Sequence, residues 1–178
     1  MKKIAAKEVA LSGVTAALAV IAVVLSYYIA PATLAFYAIA SVCLSLPLIA
    51  GSGRGSILAY VASAALSFLF VGYVHFLPYV LMFGPYPILF YYLRKYLKKT
   101  YFCLPIKIVF ANGSFFACFF LTSLTLEDFP ILDALPTYAK YLVLALGLTL
   151  AFVVFDFGFT ALFQTLEARF GKLLAPRR

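Results

Sequence analysis

The chain has 178 residues, of which 66% are apolar and 11% charged, and it carries a net charge of +8. Soluble domains run at roughly 45–50% apolar and about 25% charged, so a soluble enzyme with a large catalytic domain, a disordered chain and a disulfide scaffold are excluded. A basic excess in such a chain reflects Lys and Arg kept on the cytoplasmic side of a membrane, and no nucleic-acid partner is expected.

A spanning helix needs about 20 apolar residues, and charges and turn residues cut the sequence into six runs of that kind. Met1-Lys2-Lys3 and the later Ala30-Pro31-Ala32 give the start the outline of a signal peptide. The apolar run between them exceeds the roughly 7–15 residues of a signal's apolar region, so it reads as a retained first span, Val9–Tyr28. The second run is Leu34–Ala50, closed by the turn Gly51-Ser52-Gly53-Arg54-Gly55. The third is Ser56–Tyr73, and His75 and Pro78 mark the next break. The fourth extends to Leu93 and ends in Arg94-Lys95-Tyr96-Leu97-Lys98-Lys99. The fifth is Phe102–Leu124, followed by a polar loop with Glu127, Asp128 and Asp133. The sixth is Thr137–Phe163, before a basic tail with Arg169, Lys172, Arg177 and Arg178.

Alternating these runs from a cytoplasmic start puts twelve of the 14 Lys and Arg inside and only Lys140 outside, with Lys107 left within a span. Merging or splitting any run would send a basic cluster outside. The expected fold is therefore an all-α membrane protein: one domain over residues 1–178, six transmembrane helices, N- and C-termini cytoplasmic. Strands of a membrane barrel would alternate apolar and polar residues, and these runs do not. No internal repeat is evident.

Several features carry chemistry. Ser12, Gly13, Ala16 and Ala17 crowd the inner half of the first span at helical spacing. Small residues so spaced let two helix backbones approach closely in lipid, so they serve either internal packing or the docking of a second membrane protein. Phe83-Gly84-Pro85-Tyr86-Pro87 sets a glycine and two prolines inside the fourth span, which predicts a kinked or broken helix with either a binding cavity or a plain packing kink beside it. Lys107 and Asp156 are the two ionisable groups within spans. At about 1.5 Å rise per residue both lie roughly 9–12 Å from the same boundary, which predicts an ion pair, structural or engaged in transport. Asn112 lies deeper and also requires a partner.

Tyr73, His75, Tyr79, Tyr138 and Lys140 gather at predicted outer ends. They serve either as an aromatic belt or as a solute site, where Lys140 would meet a carboxylate and Glu127 or Asp128 a cationic ring. His75 has no triad partner. Cys43, Cys103 and Cys118 sit apart within apolar runs, so no metal site and no cofactor are expected. Nothing points to catalysis.

Three stretches and one residue carry a family likeness: Leu11-Ser12-Gly13-Val14-Thr15-Ala16-Ala17-Leu18-Ala19; Phe83-Gly84-Pro85-Tyr86-Pro87-Ile88-Leu89, of the form FGxYPIL; Lys107-Ile108-Val109-Phe110-Ala111-Asn112, close to KxxxFN but with Ala111 between Phe110 and Asn112; and Asp156 late in the last span. With its length and six spans, the chain resembles the substrate-binding S component of energy-coupling factor (ECF) transporters, nearest to short six-span Gram-positive members. The resemblance implies a subunit of the bacterial cell membrane that binds a vitamin or related small micronutrient from the outer side. It further implies docking through the first helix onto an ECF transmembrane coupling subunit driven by two cytoplasmic ATPases. The chain has no Walker motif, so ATP hydrolysis would belong to those partners. Two other classes remain: a small membrane scaffold or assembly protein without a solute, and a membrane-embedded enzyme or other small-solute channel or carrier.

Overall fold

The computed structural model describes residues 6–97, 100–122 and 137–174. They form α1 (Ala6–Tyr28), a short 3-10 turn (Ala30–Ala32), α2 (Thr33–Ile49), α3 (Gly53–Phe70), α4 (Tyr73–Pro78), a π turn (Tyr79–Phe83), α5 (Tyr86–Tyr96), α6 (Thr100–Leu121) and α7 (Thr137–Leu174). No strand occurs among the described residues. Six segments are long and apolar enough to cross a membrane, the fourth being the broken stretch Tyr73–Tyr96. The fold is all-α with six spans. Six traverses leave the described start of α1 and end of α7 at one end of the bundle, with exposed Arg54, Arg94, Lys95 and Arg169. That end is the basic end; Lys140 stands toward the other. The expected loop with Glu127, Asp128 and Asp133 lies outside the described residues, as do Lys2, Lys3, Lys98, Lys99, Arg177 and Arg178.

The first three helices pack through small side chains. Ser12, Thr15, Ala16, Ala19, Ala22, Val23 and Ser26 form one buried face of α1, repeating at three and four residues as a helix requires. Their partners include Ala40 and Leu44 on α2 and Ala59 on α3. Three of the hydroxyls are satisfied without water: Ser12 donates to the Glu8 carbonyl at 2.7 Å, Ser26 to Val23 at 2.6 Å, and Ser56 across to Leu44 of α2 at 2.8 Å. A second, aromatic cluster of Tyr86, Phe90, Phe152, Phe159 and Phe163 joins α5 to α7.

The break in the fourth span is a backbone-accounting problem with a visible solution. The Gly84 N–H bonds the Tyr79 carbonyl at 2.7 Å, five residues back, so the Val80 carbonyl loses its ordinary helical donor. Tyr60 of α3 replaces it, its hydroxyl donating to Val80 O at 2.8 Å. Pro87 has no N–H to give Phe83 O, and the Ser41 hydroxyl of α2 donates to that carbonyl instead, at 2.5 Å. Lipid offers no such donors, so the break is tolerated only where neighbouring helices supply them.

The same packing needs a glycine at position 84. A Cβ there would lie 2.7 Å from a Tyr60 ring carbon and 3.0 Å from the Tyr79 carbonyl oxygen. Gly84→Ala is therefore expected to push Tyr60 aside and cost about 1–3 kcal/mol, the range of overpacked cores. Gly147→Ala, whose Cβ meets nothing within 4 Å, is the control and should be close to neutral. Unfolding of the purified protein in detergent checks both.

Candidate functional site

Lys107 on α6 and Asp156 on α7 meet in the interior, each only 8% exposed. The Lys107 ammonium donates to Asp156 Oδ1 at 2.7 Å and Oδ2 at 3.1 Å. It also stands 4.5 Å from the centre of the Phe90 ring, where the ring's negative face attracts a cation. Asp156 has a further partner that the sequence did not indicate: the Tyr86 hydroxyl donates to Oδ1. Tyr86 belongs to the Gly-Pro-Tyr-Pro stretch that predicts the helix break, and the break aims its ring at α7.

Tyr86 is fully buried and divides the interior. Its ring packs against Phe152, Phe155 and Phe159 at centroid distances of 5.5, 5.4 and 5.1 Å. On the basic side of this aromatic layer lies a cleft of about 420 Å³ reaching Lys107 and Asp156. Asp156, Thr160 and Gln164 follow one another at four-residue spacing along the wall of this cleft, so one face of α7 carries polar steps from the buried pair toward the basic end. Arg94 lines the cleft too and pairs with Glu167 at 2.8 Å, both about half exposed.

On the other side lies a cavity of about 520 Å³ between α2, α4, α6 and α7. Phe83, Phe115, Phe119, Phe152 and Phe155 form much of its wall, with Leu34, Val74 and Met82. Thr33, Tyr37, His75, Cys118 and Thr122 are the other groups that bear on its chemistry. The two voids share no lining residue. Both Phe152 and Phe155 belong to the upper wall and to the layer around Tyr86, so that layer is the cavity's floor.

The residues expected to bind solute divide. His75 lines the cavity. Tyr79 does not: it is fully buried in the small-residue core and bonds Ser63 of α3 at 2.5 Å, because it opens the π turn on the side facing α3. Tyr73, half exposed at the start of α4, and Lys140, half buried on α7, line neither void. The side chain of Tyr138 lies outside the described residues. The phenylalanines that build the cavity went unread, since Phe within an apolar run gives no sign of whether it faces lipid, core or a void.

The small-residue set on α1 also divides. Ser12 and Ala16 are buried, Ser12 close enough to α3 that a Cβ on Gly55 would meet its hydroxyl at 2.8 Å. Gly13 and Ala17 are exposed, beside exposed Val14 and Leu18. Asn112 finds its partner on α7, donating to Thr149 Oγ1 at 3.0 Å. Among the described residues, no three His, Cys, Asp or Glu side chains group in a way that could hold a metal ion. Comparison with family models, with curated proteins and with solved structures finds no match.

Proposed function

We propose that this chain is the substrate-binding S component of an ATP-driven uptake system of the energy-coupling factor type, carrying a vitamin or related small micronutrient across a bacterial cell membrane. The observation that supports this most is the cavity of about 520 Å³ at the end opposite the basic residues, floored by the Tyr86 layer. A binding subunit needs a site reached from one face and closed toward the other. A channel would need a polar path through the floor, and a scaffold would need no cavity. The volume falls within the roughly 300–1,000 Å³ of small-molecule sites. With the basic end cytoplasmic, as the Lys and Arg asymmetry favours, the cavity faces outward and both termini lie inside.

In this reading the ATP-binding work falls to two cytoplasmic ATPases, reached through a membrane coupling subunit that docks on the exposed Gly13 and Ala17 face of α1. Affinity purification of the tagged chain from native membranes in mild detergent is expected to bring down the coupling subunit and both ATPases together. Recovery of the chain alone, with none of the three, would overturn the assignment.

Orientation is tested separately. In a background with Cys43, Cys103 and Cys118 replaced by Ser or Ala, Ala30→Cys should react with a membrane-impermeant thiol reagent added to whole cells. Arg54→Cys should react only after the membrane is opened; both positions are exposed at opposite ends of the bundle. Labelling of Arg54→Cys in intact cells would reverse the topology.

A further inference from the structure

We propose that the cavity beyond Tyr86 takes an uncharged, predominantly apolar ring compound with one hydrogen-bonding group, and that this group meets the His75 imidazole. The inference rests on the reading of the chain as a solute-binding subunit and names the class of solute. It departs from the expectation that Lys140 selects an anion or the acidic residues of the outer loop a cation.

Among the described residues the cavity wall holds no Asp, Glu, Lys or Arg. A charged solute there would lose its water and gain no counter-charge, which is the costliest transfer a binding site can impose. The wall hydroxyls have already committed their protons. Tyr37 donates to the His75 carbonyl at 2.5 Å. Thr33 lies within hydrogen-bond reach of the Ala30 and Ser26 carbonyls, and Thr122 of the Cys118 carbonyl at 2.8 Å.

The His75 ring differs from these. It touches Tyr27 edge-on at 5.4 Å, and its nitrogens have no hydrogen-bond partner among the described residues. A neutral imidazole offers one donor and one acceptor, so a single hydroxyl, carbonyl or amide on the solute can use it. The Tyr37 bond to the His75 carbonyl anchors the α4 backbone where His75 lines the cavity. The rest of the wall offers aromatic faces, and aromatic rings favour offset or edge-on packing with another ring. Size, apolar wall and one polar contact together describe a molecule with a ring body and one polar function.

The test uses three probes of one shape: 2-naphthol (uncharged), 2-naphthoate (anionic) and 2-naphthylmethylammonium (cationic). The chain has no Trp, so naphthalene fluorescence is read without indole background. Binding to the full-length protein is measured in detergent, against empty micelles, with phospholipid then added in steps. Saturable 2-naphthol binding is expected, at least about tenfold tighter than either charged probe. His75→Ala should weaken it about tenfold, the loss of one hydrogen bond, and His75→Gln should restore most of it. Ala151→Phe, which fills the cavity from α7, should abolish it.

Three results overturn the proposal: a charged probe binding as well as 2-naphthol, no saturable binding by any probe, or affinity unchanged in either His75→Ala or Ala151→Phe. Loss of 2-naphthol binding in proportion to added phospholipid identifies an acyl chain as the occupant and also overturns it. Failure of the subunit reading is distinguishable. Selective 2-naphthol binding without co-purifying ATPases keeps the solute class and removes the transporter, and co-purifying ATPases with a charge-preferring cavity do the reverse.

Discussion

Asp156→Ala is expected to destabilise the protein by about 3–5 kcal/mol, the cost of removing one partner from a buried pair. Lys107 lies inside the bundle at 8% exposure, and its ammonium makes both carboxylate contacts to Asp156. Without Asp156 that charge keeps, among the described residues, only the Phe90 ring, in surroundings where a lone charge is expensive. The Tyr86 hydroxyl is orphaned at the same time. Asp156→Ala combined with Lys107→Met should therefore be more stable than Asp156→Ala alone, although it removes more side-chain atoms. Tyr86→Phe leaves the ion pair and the aromatic layer in place. It should cost no more than about 1.5–3 kcal/mol, the range for one hydrogen bond to a charged group. Unfolding in mixed micelles of rising SDS fraction compares the four proteins. A double variant as unstable as Asp156→Ala would mean that Lys107 is not held by Asp156, and the network would lose its meaning.

How much of this was legible in the sequence follows from what each residue type can signal. The six spans were legible because apolar runs ended by charges or glycine clusters admit few alternatives in a bilayer. The meeting of Lys107 and Asp156 was legible from depth alone, since opposite charges at one level are driven together by the cost of lying apart. The helix break was legible from Gly84, Pro85 and Pro87. Its start at Tyr79 was not, because a π turn upstream of the prolines depends on Tyr60 and Ser41 bringing donors from other helices. Tyr86 was invisible as a partner of Asp156 for the same reason: its direction is set after the break, by the packing of α5 on α7. Tyr79 was misread for the opposite reason. A tyrosine near a helix end belongs to the interface in most membrane proteins, and only the Ser63 hydroxyl facing it makes the core tenable.

Gly13→Leu together with Ala17→Leu is expected to leave the isolated protein folded and to reduce recovery of the coupling subunit and ATPases by more than about tenfold, a loss of roughly 1.4 kcal/mol or more in association. Helical spacing groups Ser12 with Ala16 and Gly13 with Ala17, but the two pairs stand about 100° apart around α1, and only one can face the protein's own core. Ser12 and Ala16 do so. A Cβ on Gly13 meets nothing within 4 Å, and Ala17 is exposed, so leucine at either position has room in the isolated chain. Against a partner helix the same side chains would hold two backbones apart that small residues let approach. Ala16→Leu and Ala19→Leu are the contrast, because each overfills the face packed on α2 and α3 and should cost about 1–3 kcal/mol of stability. Stability is read by unfolding in detergent, and association by recovery from native membranes. Loss of fold in Gly13→Leu with Ala17→Leu makes the face internal packing. A folded double variant that still recovers every partner moves the interface to another helix, and the exposed small residues of α1 are then a lipid-facing surface.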